Sequence, residues 1–306
     1  MRLFGESENS IQPHGETHGV GDASALRVRP SNVKAIVALA SARGGTGKSS
    51  LAINLAAALA LKGRKIGILD ADLNSPSIAA MLGMRRIQAF QAAGVIEPAA
   101  GPLGLRVIGT DLLSGGASSP MAMFESEIEA PPPAEPATPS DSQMLARLLS
   151  ETRFGALDLL LIDVPSGLDQ FKRIAALAEL TGVLFATQSS DLALRAMRAA
   201  IDAAAEASTP VLGVVENMTG FFCAHCQSVR PLFPQGDTMG LRREFEASLL
   251  GRLPFDPRLA ESCDRGIPFI RQYSDAPLAK ELIVLAERLE QVLAARTNSV
   301  RAASPA

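Results

Sequence analysis

Three cysteines in 306 residues are too few, and odd in number, for a disulfide scaffold. No apolar run is long enough to span a bilayer, because the Ala/Leu-rich stretch after residue 50 stops at Lys62-Gly63-Arg64. The polar amino-terminal segment lacks the apolar core and cleavage site of a signal peptide. A formal net charge of only −3 gives no general attraction to nucleic acid or anionic membrane, so neither is expected as a partner. These shortages predict a cytoplasmic protein in a reducing compartment, where closely spaced cysteines bind metal or do redox chemistry. With 47% hydrophobic and 20% charged residues, the chain has globular composition, enough for one large α/β domain or two small ones.

Residues 1–32 are rich in Gly, Ser, His and Glu without periodicity and read as a disordered tail, as does 297–306. Between them, 33–296 reads as one domain that alternates short β-branched runs with Ala/Leu-rich helical stretches. Strands are expected at VKAIVALA (33–40), RKIGILD (64–70), LRVIGT (105–110), LDLLLID (157–163), TGVLFAT (181–187) and PVLGVVE (210–216). Uninterrupted apolar runs separated by helices are what a parallel sheet covered on both faces requires. The expected fold is therefore α/β, a doubly wound, mostly parallel sheet with helices on both faces. Residues 114–141 break the pattern with six prolines and four glutamates, which suit neither helix nor strand. They read as an insertion loop on the surface, solvated or docking a partner.

SARGGTGKSS (41–50) directly follows the first strand and opens the first helix, the placement that lets a glycine-rich run cradle phosphate. Gly44, Gly45 and Gly47 allow backbone N–H groups to turn inward, and the helix N-terminus adds its positive dipole end. Lys48 is expected to bridge the β- and γ-phosphates and the Ser49 hydroxyl to ligate Mg²⁺. With Thr46 and Ser50 these residues form the expected ATP-binding set.

The loop begins with Ala42 and Arg43 in place of Gly and Lys, and otherwise resembles the G-K-G-G-x-G-K-S loop of the deviant Walker ATPases. That superfamily includes the MinD, ParA and Mrp/ApbC-type proteins, and the resemblance implies a MinD-like P-loop NTPase fold. In those relatives the second, signature lysine reaches across a dimer to the partner's nucleotide. Arg43 is also cationic and suited to bidentate phosphate contact, so it is carried forward as a catalytic candidate beside Lys48; a solvated loop charge is the alternative.

Two acidic segments stand in register with the loop. LDADLNSPSIAAMLG (69–83) resembles the family's D-x-D-x-x-x-P-S segment, which implies that Asp72 orients the attacking water and Asp70 supports the metal shell. LDLLLIDVPSG (157–167) resembles the Walker B strand and switch II; four apolar residues bring Asp163 to the sheet edge, where it can hold the Mg²⁺ water shell. The family continues D-x-P-P-G-T-G-D, whereas this chain has D-V-P-S-G-L-D, one residue shorter and with one proline lost. VVENMTG (214–220) and GRLPFDP (251–257) resemble the family's base-binding segments, implying that Asn217 bonds adenine with Pro254 and Asp256 nearby.

NMTGFFCAHCQSVRPLFPQGD (217–237) is close to the Mrp/ApbC-type N-M-S-x-F-x-C-P-H-C…F-G-x-G, whereas MinD and ParA relatives lack the C-x-x-C. The chain is thus similar to iron–sulfur cluster carrier ATPases from about residue 33 to about 290. The spacing lets Cys223 and Cys226 face one metal centre, yet a [4Fe–4S] cluster or zinc usually takes four ligands. A homodimer in which each chain gives both cysteines supplies four. A zinc bridge on the same ligands, or a redox or inert pair, remains open. His225 reads as an exposed loop residue or a third donor, and Cys263 as a small side chain packed in the domain.

The resemblance implies an ATPase, with ATP, Mg²⁺ and a [4Fe–4S] cluster, that passes the cluster to apo-proteins. The family's W-R-G-P segment is replaced by the insertion, and the chain has no tryptophan. The alternative is a MinD/ParA-like nucleotide-switched dimer without a cluster. Against its membrane form, the last helix, about 276–296, carries mixed charges opposite a leucine stripe, the pattern of a helix packed on a domain.

Overall fold

The structure is a computed structural model that describes residues 27–113, 140–223, 225–226, 228–232 and 249–303. Its centre is a sheet in the order β10-β9-β8-β1-β7-β2-β6-β5, with β11 also paired to β9. The ranges are β1 Val33–Ala40, β2 Ile66–Asp70, β5 Ala99–Ala100, β6 Arg106–Ile108, β7 Leu157–Asp163, β8 Gly182–Gln188, β9 Val211–Cys223, β10 Ser228–Pro231 and β11 Leu249–Phe255. All neighbours from β6 across to β9, and β11 on β9, are parallel; only the edge strands β5 and β10 run antiparallel. The doubly wound α/β expectation holds. Phe90–Ala92 and Val95–Glu97 form β3 and β4, a separate antiparallel hairpin turning on Ala93-Gly94, both with positive φ.

The central strands are apolar at nearly every position because both faces are covered: β1 is buried at seven of its eight residues and β2 at all five. On one face lies α1 (Lys48–Leu61), against α2 (Ile78–Met81), α7 (Phe269–Gln272) and α8 (Pro277–Ala303). On the other lie α4 (Leu168–Leu177) and α5 (Asp191–Glu206), with α3 (Asp141–Glu151) beside α4; α6 (Arg258–Asp264) packs beside α2 and α7 on the α1 face. Phe171 of α4 meets Phe185 of β8 edge-on at 5.5 Å. Buried on both sides, α1 needs no polar face, which is why its Ala/Leu run carries little periodicity.

The leucine stripe of the last helix belongs to the core. Leu278, Leu282, Leu285 and Leu289 are buried and Val292 is half-buried. Each such leucine contributes roughly 1.5–3 kcal/mol by leaving water. No described helix is long and apolar enough to cross a membrane.

Three boundaries differ from the sequence reading. The helix α8 continues to Ala303, into the segment expected to be loose, because no Gly or Pro interrupts it before Pro305. Residues 27–32, read as part of the tail, lie against the domain: Val28 bonds Leu177 and Glu179 through its backbone, and Arg29 pairs with Glu179 at 3.0 Å. Asp141, assigned to the insertion, opens α3 behind a capping box of Ser140 and Gln143. The rest of the amino-terminal tail, 114–139 of the insertion and 304–306 lie outside the described residues.

Candidate functional site

The chain turns from β1 into α1 through Ser41–Gly47, at the C-terminal sheet edge where the strand order reverses. Gly45 and Gly47 have φ of 75° and 78°, left-handed values that favour glycine. A Cβ on Gly47 would also stand 2.5 Å from the Asn217 amide nitrogen. No side chain caps α1 and its first turn has no acidic residue, so its first N–H groups remain for an anion.

The loop faces a cavity of about 300 Å³, lined by Gly45 to Ser50, Asp72, Met81 and Asp163 to Ser166. The expected phosphate loop and two of the three expected acidic residues thus meet in one place. Lys48 is buried there and donates to Ser166 Oγ at 2.7 Å. Burial lowers the pKa of its amine, while Asp163 and Asp72 pull it back up. Asp72 is half-buried and accepts the Ser75 N–H at 3.0 Å. Ser49 and Asp163 both line this cavity, and Asp163 Oδ1 is buried without a hydrogen-bond partner. A hydroxyl beside an orphaned carboxylate oxygen is a hard-oxygen donor set, which fits Mg²⁺.

Other expected site residues are placed differently. Asp70 does not line the cavity: its oxygens accept the N–H groups of Asp72, Ser77 and Ile78, so it folds the segment that carries Asp72. Burial pushes its carboxyl pKa up to about 6, with Asp111 adding to the rise and those N–H groups opposing it. Asn217 is buried and donates to the Thr46 carbonyl at 2.8 Å, clamping the phosphate loop from β9. Pro254 is buried on β11; the Asp256 carboxylate is held by Arg258 at 2.7 and 3.0 Å, at the start of α6. Arg43 is exposed, and its guanidinium has no partner among the described residues. It lines a second cavity of about 110 Å³ between the loop and α5, with Thr46 and Leu192. Sequence reasoning missed Gln188, whose amide donates to the Gly45 carbonyl at 3.2 Å; its only signal is its place at the end of β8.

The cysteine pair sits at the tip of a hairpin. Asn217 stands level with the phosphate loop and β9 runs six residues further, to Cys223. At about 3.3 Å per residue that reaches at most about 20 Å beyond the sheet edge. Cys223 is half-buried opposite Ser228, whereas Cys226 is exposed in the turn, its Sγ 3.0 Å from Ser228 Oγ. Hydrogen bonds from Ser228, and then from Cys223, lower the Cys226 thiol pKa. His225 is exposed; residues 233–237 of the motif lie outside the described residues. Among the described residues no group of three His, Cys, Asp or Glu side chains stands ready for a metal.

The buried Asp163 has a testable thermodynamic consequence. Burial raises its pKa from the ordinary 3.8 to about 7, with the Ser49 hydroxyl opposing and Asp70 adding. The neutral acid is the form favoured in the folded, metal-free chain. Its contribution to stability is complete below pH 4 and is lost as pH rises through about 7. Asp163→Asn should therefore melt higher than wild type at pH 8, by roughly 1–3 kcal/mol, with the gap closing toward pH 4.5. Thermal melts in chelator across that range check it; parallel profiles would show that Asp163 carries no burial penalty.

Comparison with known proteins agrees with this geometry. A ParA family model described as NUBPL iron-transfer P-loop NTPase matches residues 32–290. The iron–sulfur cluster carrier protein of Saccharolobus solfataricus is 32% identical over 270 residues, 88% of this chain and 87% of the relative. A nucleotide-binding protein of Archaeoglobus fulgidus, solved with ADP, is 28% identical with a TM-score of 0.64, covering 77% of this chain and 87% of that one. The cell division ATPase MinD of Pyrococcus furiosus shares the fold at 21% identity and a TM-score of 0.60, over 85% and 99% of the two chains.

Proposed function

Because this chain belongs to the NUBPL iron-transfer P-loop NTPase family, we propose that it is an ATPase that carries an iron–sulfur cluster and delivers it to apo-proteins. The observation that carries this reading is a phosphate loop and a two-thiol hairpin on the same edge of one sheet, joined through β9. The cluster is cargo. Two thiolates are half of what a [4Fe–4S] cluster takes, so two chains share it across a two-fold axis, each giving Cys223 and Cys226.

At the nucleotide, the P-loop amides from Gly44 to Ser50 hold the phosphates and Lys48 neutralises charge on them. Ser49 and Asp163 would hold Mg²⁺, which when bound spreads the phosphate charge. Asp72, which lines the same cavity, would orient the attacking water. Asp70 acts through the loop that carries Asp72. Asn217 and Pro254 form the base side, and Asp256 supports them by ordering α6 through Arg258. Positioning and charge stabilisation are all that phosphoryl transfer asks of the protein.

The test is anaerobic reconstitution followed by iron, sulfide and zinc analysis, then transfer to an apo-[4Fe–4S] protein with and without ATP. Iron and sulfide shared by two chains, and transfer that responds to ATP, are expected. Stoichiometric zinc with no iron or sulfide would replace the cluster by a zinc bridge and end the carrier reading.

A further inference from the structure

Three residues beyond Asp163, in switch II, stands Ser166, a residue that neither the phosphate site nor the metal site needs. It is exposed at the cavity mouth, yet its Oγ accepts the Lys48 ammonium at 2.7 Å. It also hangs over the phosphate loop, since a Cβ built on Gly44 would lie 3.8 Å from the same Oγ. The backbone holds it there from both sides. The Val164 N–H donates to the Leu39 carbonyl at 3.0 Å, and the Gly167 N–H to the Ser41 carbonyl at 3.1 Å. Gly167 then enters α4 with φ 113°, a conformation open to glycine and a place where the helix can swing.

A phosphate oxygen and the Ser166 hydroxyl would therefore compete for one ammonium inside one cavity. We propose that Ser166 is a positioning residue that parks Lys48 in the nucleotide-free chain and yields it to the nucleotide's phosphates, so that phosphate binding releases switch II. The inference rests on the nucleotide reading of the cavity. It makes Lys48 the link between the nucleotide and α4: with nucleotide absent the lysine ties the phosphate loop to switch II, and with nucleotide present it lets α4 go. A proline at this position would have no hydroxyl to offer, so the device depends on the serine this chain carries.

The full chain is compared as wild type, Ser166→Ala and Ser166→Thr, titrated with ADP and with a non-hydrolysable ATP analogue in Mg²⁺. Hydrogen exchange is followed over 164–171. Loss of a charged hydrogen bond from the empty state should tighten both nucleotides about tenfold in the alanine variant, while threonine stays within about twofold of wild type. KM for ATP should fall with kcat little changed. The empty alanine variant should already exchange over 164–171 as the nucleotide-bound wild type does. Because Ser166 is exposed, the truncation leaves no cavity that would unfold the chain. Unchanged affinity in the alanine variant, or equal shifts with alanine and threonine, would overturn the proposal. A wild-type chain that binds neither nucleotide would sink the reading of the cavity itself, and this inference with it.

Discussion

Chains carrying Cys223→Ser or Cys226→Ser should leave anaerobic reconstitution without iron and sulfide and without the holo dimer. The effect is large because of symmetry. If each chain gives two of four thiolates, one substitution removes two ligands from the shared cluster. A hydroxyl does not replace them, because the cluster iron is held by thiolate and serine stays protonated at neutral pH. Neither variant should harm the fold: Cys226 is exposed in a turn and Cys223 is half-buried at a strand end. Cys263→Ser is the internal control. That thiol lies half-buried on α6, 3.8 Å from Ser50 Oγ, and burial pushes its pKa up, the setting of a packed side chain and not of a ligand. It should reconstitute like wild type. The measurements are iron and sulfide per chain, the cluster's visible absorbance, and mass in solution before and after loading. Full iron and sulfide in the Cys223 and Cys226 variants would leave the hairpin without a role.

What could be read before the fold was known followed from local pattern. Strands β1 and β7 run between the expected residues because both are unbroken apolar runs punctuated by polar or glycine-rich turns. The phosphate loop was legible because its glycines answer a backbone requirement that any neighbourhood would impose. Through-space relations were not. Asp70 and Asp72 are two residues apart, and only the turn of the 72–78 segment shows that Asp70 faces the backbone while Asp72 faces the cavity. The expected strand PVLGVVE stops one residue short of Asn217. Instead β9 absorbs a left-handed residue, Met218 at φ 57°, and continues to Cys223, because β10 supplies a partner beyond it. The Lys48–Ser166 contact spans 118 residues and leaves no periodic trace.

Arg43→Ala should slow ATP hydrolysis by about 10³–10⁵, the range of other trans-acting arginines, while weakening ATP binding far less. Lys48 already holds the phosphate position within the chain, buried and directed into the cavity. Arg43 is its opposite, exposed on the same loop, its guanidinium without a partner among the described residues, lining a different cavity that Lys48 does not line. If a second chain closes against the site, a cation so placed would meet that chain's γ-phosphate, and its contribution would then be specific to the transition state of the dimer. Arg43→Lys should keep much of the rate, since charge matters more than the guanidinium plane. The decisive measurement mixes Arg43→Ala chains with Lys48→Ala chains, each inactive alone. In a mixed dimer, the site that retains Lys48 is served by the other chain's Arg43. Random pairing makes half the dimers mixed, each with one working site, so about a quarter of the wild-type rate should return. Tagging the two chains differently proves that heterodimers form. If they form and no rate returns, Arg43 acts within its own chain or is only a loop charge.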